Sequence, residues 1–232
     1  MVERHSTPGQ PPGVSRYPGA VLDRSPHSDP SSVQTSRARR NQHATEILAA
    51  AHRLLEQKGE EFTTQELIKE AGVALRTFYR HYGSKDQLLL AVIADLISEN
   101  CRALAEAGRA VSNPVERLQL YITTTVGSLS FIDGEGPKFL TSQHWRLHQE
   151  HPREVAAATQ PYTDLIMSVL LEGRATRELH PRDPERDAWL ITKTVMAVFH
   201  HYAFAPDDPH LVTAADDVWG FCLAAVGGDR PT

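Results

Sequence analysis

The stretch Phe62-Thr63-Thr64-Gln65-Glu66-Leu67-Ile68-Lys69-Glu70-Ala71-Gly72-Val73-Ala74-Leu75-Arg76-Thr77-Phe78-Tyr79-Arg80-His81-Tyr82-Gly83-Ser84-Lys85 decides the fold class. Thr63 or Thr64 suits a helix N-cap, and Glu66 stands where it closes a capping box with Thr63. Leu67, Ile68 and Ala71 supply an apolar side, and Gly72 permits a tight turn. A second short helix is expected over residues 74–82, with Val73 and Phe78 facing the same small core. Ser84 then caps a long helix that carries Leu88, Leu89, Val92, Ile93, Leu96 and Ile97 and runs to about Gly108.

Upstream, Ile47, Leu48, Ala51, Leu54 and Leu55 recur on one face of an amphipathic helix that Gly59 is placed to end. Residues 1–36 are rich in Ser, Pro and Gly with no periodic apolar face, and are expected to be disordered. Downstream, Asn113-Pro114, Asp183-Pro184 and Asp208-Pro209 mark helix starts, a capping residue followed by proline. Gly134, Gly136 and Pro137 break the chain, Pro152 starts another helix, and Pro161 should kink or divide it. Gly227-Gly228 closes the last. No segment alternates with a period of two, so the chain is expected to be all-α, with about nine helices.

The net charge of −5 is unevenly spread. Residues 1–36 are neutral, with three arginines against three carboxylates. Residues 37–85 carry nine cations against six carboxylates, or +3, so the remainder carries −8. A basic module joined to an acidic body points to nucleic acid at one end and a different task at the other. No apolar run reaches the roughly 18 residues a membrane span needs, and the first residues lack the apolar core of a secretory leader. Cys101 and Cys222 both sit in apolar helical patterns, as buried thiols of a cytoplasmic protein would.

The order of a basic-led helix, then Thr-Thr-Gln-Glu-Leu, Ala-Gly-Val and Thr-Phe-Tyr-Arg-His-Tyr-x-x-Lys resembles the N-terminal domain of the TetR family of bacterial transcriptional regulators, over roughly residues 40–93. The resemblance implies an all-helical homodimer. Residues 37–85 would be a three-helix helix-turn-helix domain for a double-stranded DNA operator, and residues 86–232 a ligand-binding and dimerisation domain.

In a helix-turn-helix the second helix enters the major groove with its first residues near base edges. Leu75, Arg76 and Thr77 occupy that place; Arg76 suits a bidentate bond to guanine and Thr77 a hydrogen bond or a thymine methyl. Tyr79, His81 and Lys85 match family positions that hold phosphates, and Thr64 and Gln65 match contacts at the start of the preceding helix. Arg37, Arg39 and Arg40 form a candidate flexible arm for phosphates or a minor groove. Many family members carry a smaller residue where Leu75 and Arg76 stand, so the base-reading surface here is bulkier and more basic.

Residues 113–205 mix apolar, aromatic and scattered polar side chains, the usual composition of a ligand site. Candidate cavity residues are Tyr121, Thr125, Leu129 and Phe131 in one stretch and Phe139, His144 and Trp145 in the next. Further along stand Tyr162, Ile166, Met167 and Leu170, then Phe199 and Tyr202. Against this, most could be ordinary core. His144, His148 and His151 share a helical face at chelating spacing, but Pro152 disfavours helix at His151 and no Cys or paired carboxylate completes a set, so no metal is expected. His200 and His201 are adjacent and point apart, so they do not form a chelate. The apolar faces holding Trp189, Ile191 and Val195, and Val218, Trp219 and Cys222, suit a four-helix interface between two copies.

No Gly-rich phosphate loop or nucleophile elbow is present, so neither catalysis nor a cofactor is expected. The chain reads as a repressor released by a small apolar or amphipathic effector. Two alternatives stand beside it: a metal-binding or catalytic helical protein using the helix-turn-helix as scaffold, and a DNA binder without an effector.

Overall fold

The computed structural model describes residues 30–58, 62–131 and 136–227. They divide into two units after Ala38. Of the first unit only the opening residues of one helix are described, and the second runs from Arg39 onward. Among the described residues there are nine α-helices and no strand. These are α1 (Pro30–Lys58), α2 (Thr64–Glu70), α3 (Leu75–His81), α4 (Lys85–Gly108), α5 (Pro114–Gly127), α6 (Gly136–Glu150), α7 (Pro152–Thr176), α8 (Pro184–Phe204) and α9 (Leu211–Val226), with a 3₁₀ turn over Ser128–Phe131.

The first helix corrects an expectation. It begins at Pro30, not near Arg37, so residues 30–36 are helical and Arg37, Arg39 and Arg40 lie on a helix instead of a flexible arm. The polar start hides any apolar periodicity, but proline at the first helical position is a start signal in its own right. The side chains of those three arginines, the proposed Gly59 cap and residues 1–29 lie outside the described residues.

The caps explain why the middle of the chain folds as it does. Thr63 accepts from the Glu66 backbone N–H at 3.2 Å, and the Glu66 carboxylate accepts from the Thr63 N–H at 2.8 Å. That capping box, worth about 1 kcal/mol, starts α2. The Lys58 ammonium and the Thr63 groups beside Glu66 hold its carboxyl down at about 2. Gly72 adopts φ +65, and the Val73 N–H reaches back to the Ile68 carbonyl at 3.0 Å, closing the turn into α3. Ser84 caps α4 by accepting from Gln87 N–H, Asn113 caps α5 and Asp183 caps α8.

One proline expectation narrows and another changes. Helix α7 is not divided at Pro161, one of the two outcomes expected there. Proline removes the donor that the Ala157 carbonyl needs, but Ala157 is exposed, so water can take its place. Helix α9 begins at Leu211, not at Pro209, because residues 206–210 form turns held in part by the Asp208 carboxylate accepting from the His210 N–H at 2.8 Å.

Hydrophobic burial falls into three clusters. The first packs Ile47, Ala51, Phe62, Leu67, Phe78 and Leu88 among α1–α4. The largest gathers α4, α5, α7, α8 and α9 around Leu118, Ile122, Ile166, Leu170 and Val195. A third joins α4 to α6 and α7 through Leu89, Ile93, Phe139, Leu147 and Val155. Helix α4 contributes to all three, so it spans from the helix-turn-helix core into the body. Both cysteines are free and buried, and burial pushes their thiols up to about 11. Among the described residues no helix is long and apolar enough to cross a membrane.

Candidate nucleic-acid interface and body cavity

Helix α3 divides its side chains sharply. Phe78 points inward at 1% exposure, edge-on to Tyr79 at 5.1 Å and tilted against Tyr82 at 6.2 Å. Leu75 (46%), Tyr79 (53%), Arg76 and Arg80 stand outward at positions i, i+4, i+1 and i+5. Thr64 and Thr77 are half-buried, and Gln65 is exposed on α2. His81 and Lys85 are half-buried; the Lys85 ammonium donates to the Phe62 carbonyl at 3.0 Å and lies 4.5 Å from the centre of the Phe62 ring. An ammonium has three donors, so one such group can serve more than one acceptor. Arg53–Glu70 and Lys58–Glu66 pairs tie α1 to α2. The outward α3 face is left as Leu75, an aromatic ring and two guanidinium groups, a composition suited to phosphates and base edges.

Within the body, five helices surround a cavity of about 290 Å³. Each contributes one stripe at helical spacing. Helix α4 gives Ile93, Leu96, Ile97 and Asn100; α6 gives Leu140, Thr141 and His144; α7 gives Thr159 and Tyr162. Helix α8 gives Thr192, Met196, Phe199 and His200, and α5 with its 3₁₀ extension gives Thr125 and Ser128. No Lys, Arg, Asp or Glu is among these lining residues.

Of the residues expected to line a cavity, the structure brings Thr125, His144, Tyr162 and Phe199 together there. The others lie elsewhere for identifiable reasons. Tyr121 is buried with its hydroxyl packed over Gly108, where a Cβ would collide with it. Ile166 and Leu170 are body core, Met167 packs against that core, and Phe139 belongs to the α4–α6–α7 cluster. Leu129 is buried outside the cavity and Trp145 is 55% exposed. Tyr202 lines a separate depression between α8 and α9 with His201 and Asp217. The Phe131 side chain lies outside the described residues.

The histidines also sort by position. His144 and His200 approach to 4.7 Å between ring centres inside the cavity. Burial, with the charges of neighbouring His148 and Lys193, holds His144 down at about 4; burial, then His144 and Lys193, does the same for His200. Both are uncharged at neutral pH. His148 is exposed. His151 leaves α6 altogether and sits at the start of α7, near Asp86 and Glu150, whose carboxylates already meet Arg146.

These histidines predict a pH response. Their folded pKa values lie below the unfolded value of about 6.5, so the unfolded chain binds more protons as pH falls below that value. The stability that neutral burial supplies is fully present above about pH 6.5 and is lost as pH drops toward about 4. Melting temperature should fall over that window, ahead of the depressed carboxylates Asp86 and Glu172, which act below the unfolded value of about 4. His144→Gln with His200→Gln should flatten the decline between about pH 6.5 and 4.5; an unchanged slope would show that the pair does not titrate in this way.

Residues 47–92 match the family described as bacterial regulatory proteins, tetR family. YvaF of Bacillus subtilis, an HTH-type transcriptional regulator, is 47% identical over 53 residues, 23% of this chain and 28% of YvaF. BetI of Brucella anthropi, also an HTH-type transcriptional regulator, is 24% identical over 189 residues, 80% of this chain and 94% of BetI. The chain belongs to the TetR family. It is an all-α transcriptional regulator of that family with a DNA-binding helix-turn-helix at its N-terminal end. The TetR-family fold extends through the body: FadR of Thermus thermophilus, a repressor solved with lauroyl-CoA, superposes with a TM-score of 0.63 at 21% identity, covering 82% of this chain and 98% of FadR. For this TetR-family chain, the sequence does not single out the α4 stripe, Ser128, Leu140, Thr141, Thr159, Thr192, Met196 or His200 as cavity lining. The α4 residues carry the same periodicity that marks any core-facing helix.

Proposed function

We propose that the chain acts in the cytoplasm as a homodimeric repressor whose hold on its operator is released by a small, largely apolar effector in the α4–α8 cavity. One observation carries the reading: the outward face of α3, with Arg76 and Tyr79, sits on a core that shares α4 with the cavity. Leu75, Arg76 and Thr77 read bases; Tyr79, His81, Lys85, Thr64 and Gln65 hold phosphates, with Arg37, Arg39 and Arg40 on the preceding helix. Ile191, Val195, Val218, Trp219 and Cys222 are buried in the body's own core, so they do not form the pairing face; exposed Trp189, Leu190, Val212 and Phe221 on α8 and α9 favour one for a second copy, which supplies the second reading head.

Coupling has a physical route. Helix α6 lines the cavity through Thr141 and His144, and two residues on, Arg146 donates to the Asp86 carboxylate at 2.6 Å in the first turn of α4. Neighbouring Lys85 donates to the carbonyl of Phe62, whose side chain shares a core cluster with Phe78 of α3. An effector that seats only when α6 and α4 have shifted disfavours the arrangement that fits DNA. FadR's complex with lauroyl-CoA supports a body that holds small molecules. The test is fluorescence anisotropy of the full chain with the duplex upstream of its own coding sequence. Sequence-selective binding that weakens steeply with salt, and weakens further when a cavity ligand is added, is expected. Binding indifferent to sequence and to every cavity ligand would overturn the reading.

A further inference from the structure

Helical threonines usually spend their hydroxyls on the carbonyl one turn back. Thr45, Thr123, Thr125, Thr159 and Thr194 do so here at 2.8–3.3 Å. Thr141 and Thr192 do not. Both are 1% exposed, both line the cavity, and among the described residues neither hydroxyl oxygen has a hydrogen-bond partner. A buried polar group left unpaired is costly, and a threonine kept in that state on two facing helices marks a place where a partner arrives. Resting on the reading of the cavity as the effector site, we propose that the effector is a compact uncharged molecule whose apolar body carries a hydroxyl or carbonyl group, bound by the Thr141 and Thr192 hydroxyls beside the His144–His200 pair.

The rest of the lining selects the same chemistry. Ile93, Leu96, Ile97 and Phe199 offer only apolar contact. None of the lining residues is ionised, and transfer of a bare carboxylate or ammonium against such a lining is strongly unfavourable. Threonine hydroxyls and neutral imidazoles each donate and accept, which matches an alcohol, phenol or ketone. A volume of about 290 Å³ lies at the small end of ligand pockets, which run from about 300 Å³ upward.

Isothermal titration calorimetry on the full chain, with probes sharing one hydrocarbon frame, tests this. The probes are 4-ethylphenol, 4-ethylbenzyl alcohol, 4-ethylbenzoate, 4-ethylbenzyltrimethylammonium and ethylbenzene, with lauroyl-CoA as a large anion. At about pH 7.5, where a phenol is neutral and a carboxylate ionised, the phenol or alcohol should bind at least about tenfold tighter than either charged probe. Thr141→Val with Thr192→Val should raise the melting temperature of the free protein and weaken the phenol or alcohol by about tenfold. Ethylbenzene should be unaffected, and Thr141→Ser with Thr192→Ser should retain binding. A charged probe or lauroyl-CoA binding tighter, with binding abolished by the cavity-filling Met196→Trp, would overturn the uncharged class while leaving the cavity as the effector site. Binding of all probes untouched by Met196→Trp would remove the cavity reading itself. No neutral probe binding, or unchanged phenol affinity in the double valine variant, would overturn the proposal.

Discussion

Phe78→Ala should cost about 3–5 kcal/mol and abolish DNA binding. The ring is 1% exposed and fills the centre of a small cluster built from Ile47, Ala51, Leu54, Phe62 and Leu67. That cluster is what seats α3 on α1 and α2, and α3 is only seven residues long. A helix so short has little stability of its own, so it keeps its place through Phe78 and the Tyr82 hydroxyl donating to the Ala44 carbonyl at 3.3 Å. Small clusters have few neighbours able to relax into a void, which places the cost at the upper end for a large-to-small change. Circular dichroism melts and anisotropy with operator DNA would check both parts. A loss under about 1 kcal/mol with DNA binding intact would mean that α3 is held by something other than its aromatic anchor.

Arg76→Ala should weaken binding to the preferred duplex by about 1–3 kcal/mol, and the loss should be confined to one base position. Arg76 is exposed in the first turn of α3, clear of the core that Phe78 fills, so the change leaves the fold in place. Tyr79→Phe provides the contrast. Tyr79 is 53% exposed, and loss of its hydroxyl should lower affinity for every sequence alike without changing the preference. Binding measured against a set of duplexes carrying each base at each position would separate the two patterns. Equal losses across all sequences for Arg76→Ala would assign that guanidinium to the backbone instead of the bases.

The helix-turn-helix is legible from sequence because its local chemistry is self-announcing. Thr63 and Glu66 form the capping box their spacing specifies, Gly72 takes the left-handed turn, and Ser84 caps α4. The start of α1 escapes because Ser, Gln and Arg residues give no apolar stripe, leaving Pro30 as the sole local sign. Asp208-Pro209 misleads for the opposite reason: the pair has the composition of a helix start, but a turn consumes it first.

The cavity is legible only in part. Aromatic composition points to Tyr162 and Phe199, yet the same rule selects Tyr121 and Phe139, whose rings fill core. What separates them is whether a neighbouring helix fills the space, as Tyr121 fills the space that Gly108 leaves. Thr141, Thr192 and His200 are ordinary helical residues in sequence. They become informative only when their partners, or lack of partners, can be seen.

In the proposed mechanism α3 of each of two subunits reads DNA, and the body sets the geometry of the pair. Selection of full-length protein against random duplex DNA at physiological salt, followed by sequencing, tests it most directly. The predicted outcome is enrichment of a two-fold-symmetric sequence whose half-sites lie about one helical turn or more apart, about 34 Å centre to centre, with Arg76→Ala relaxing one position in each half. Recovery of no enriched sequence, or of a single unpaired site indifferent to Arg76, would contradict it.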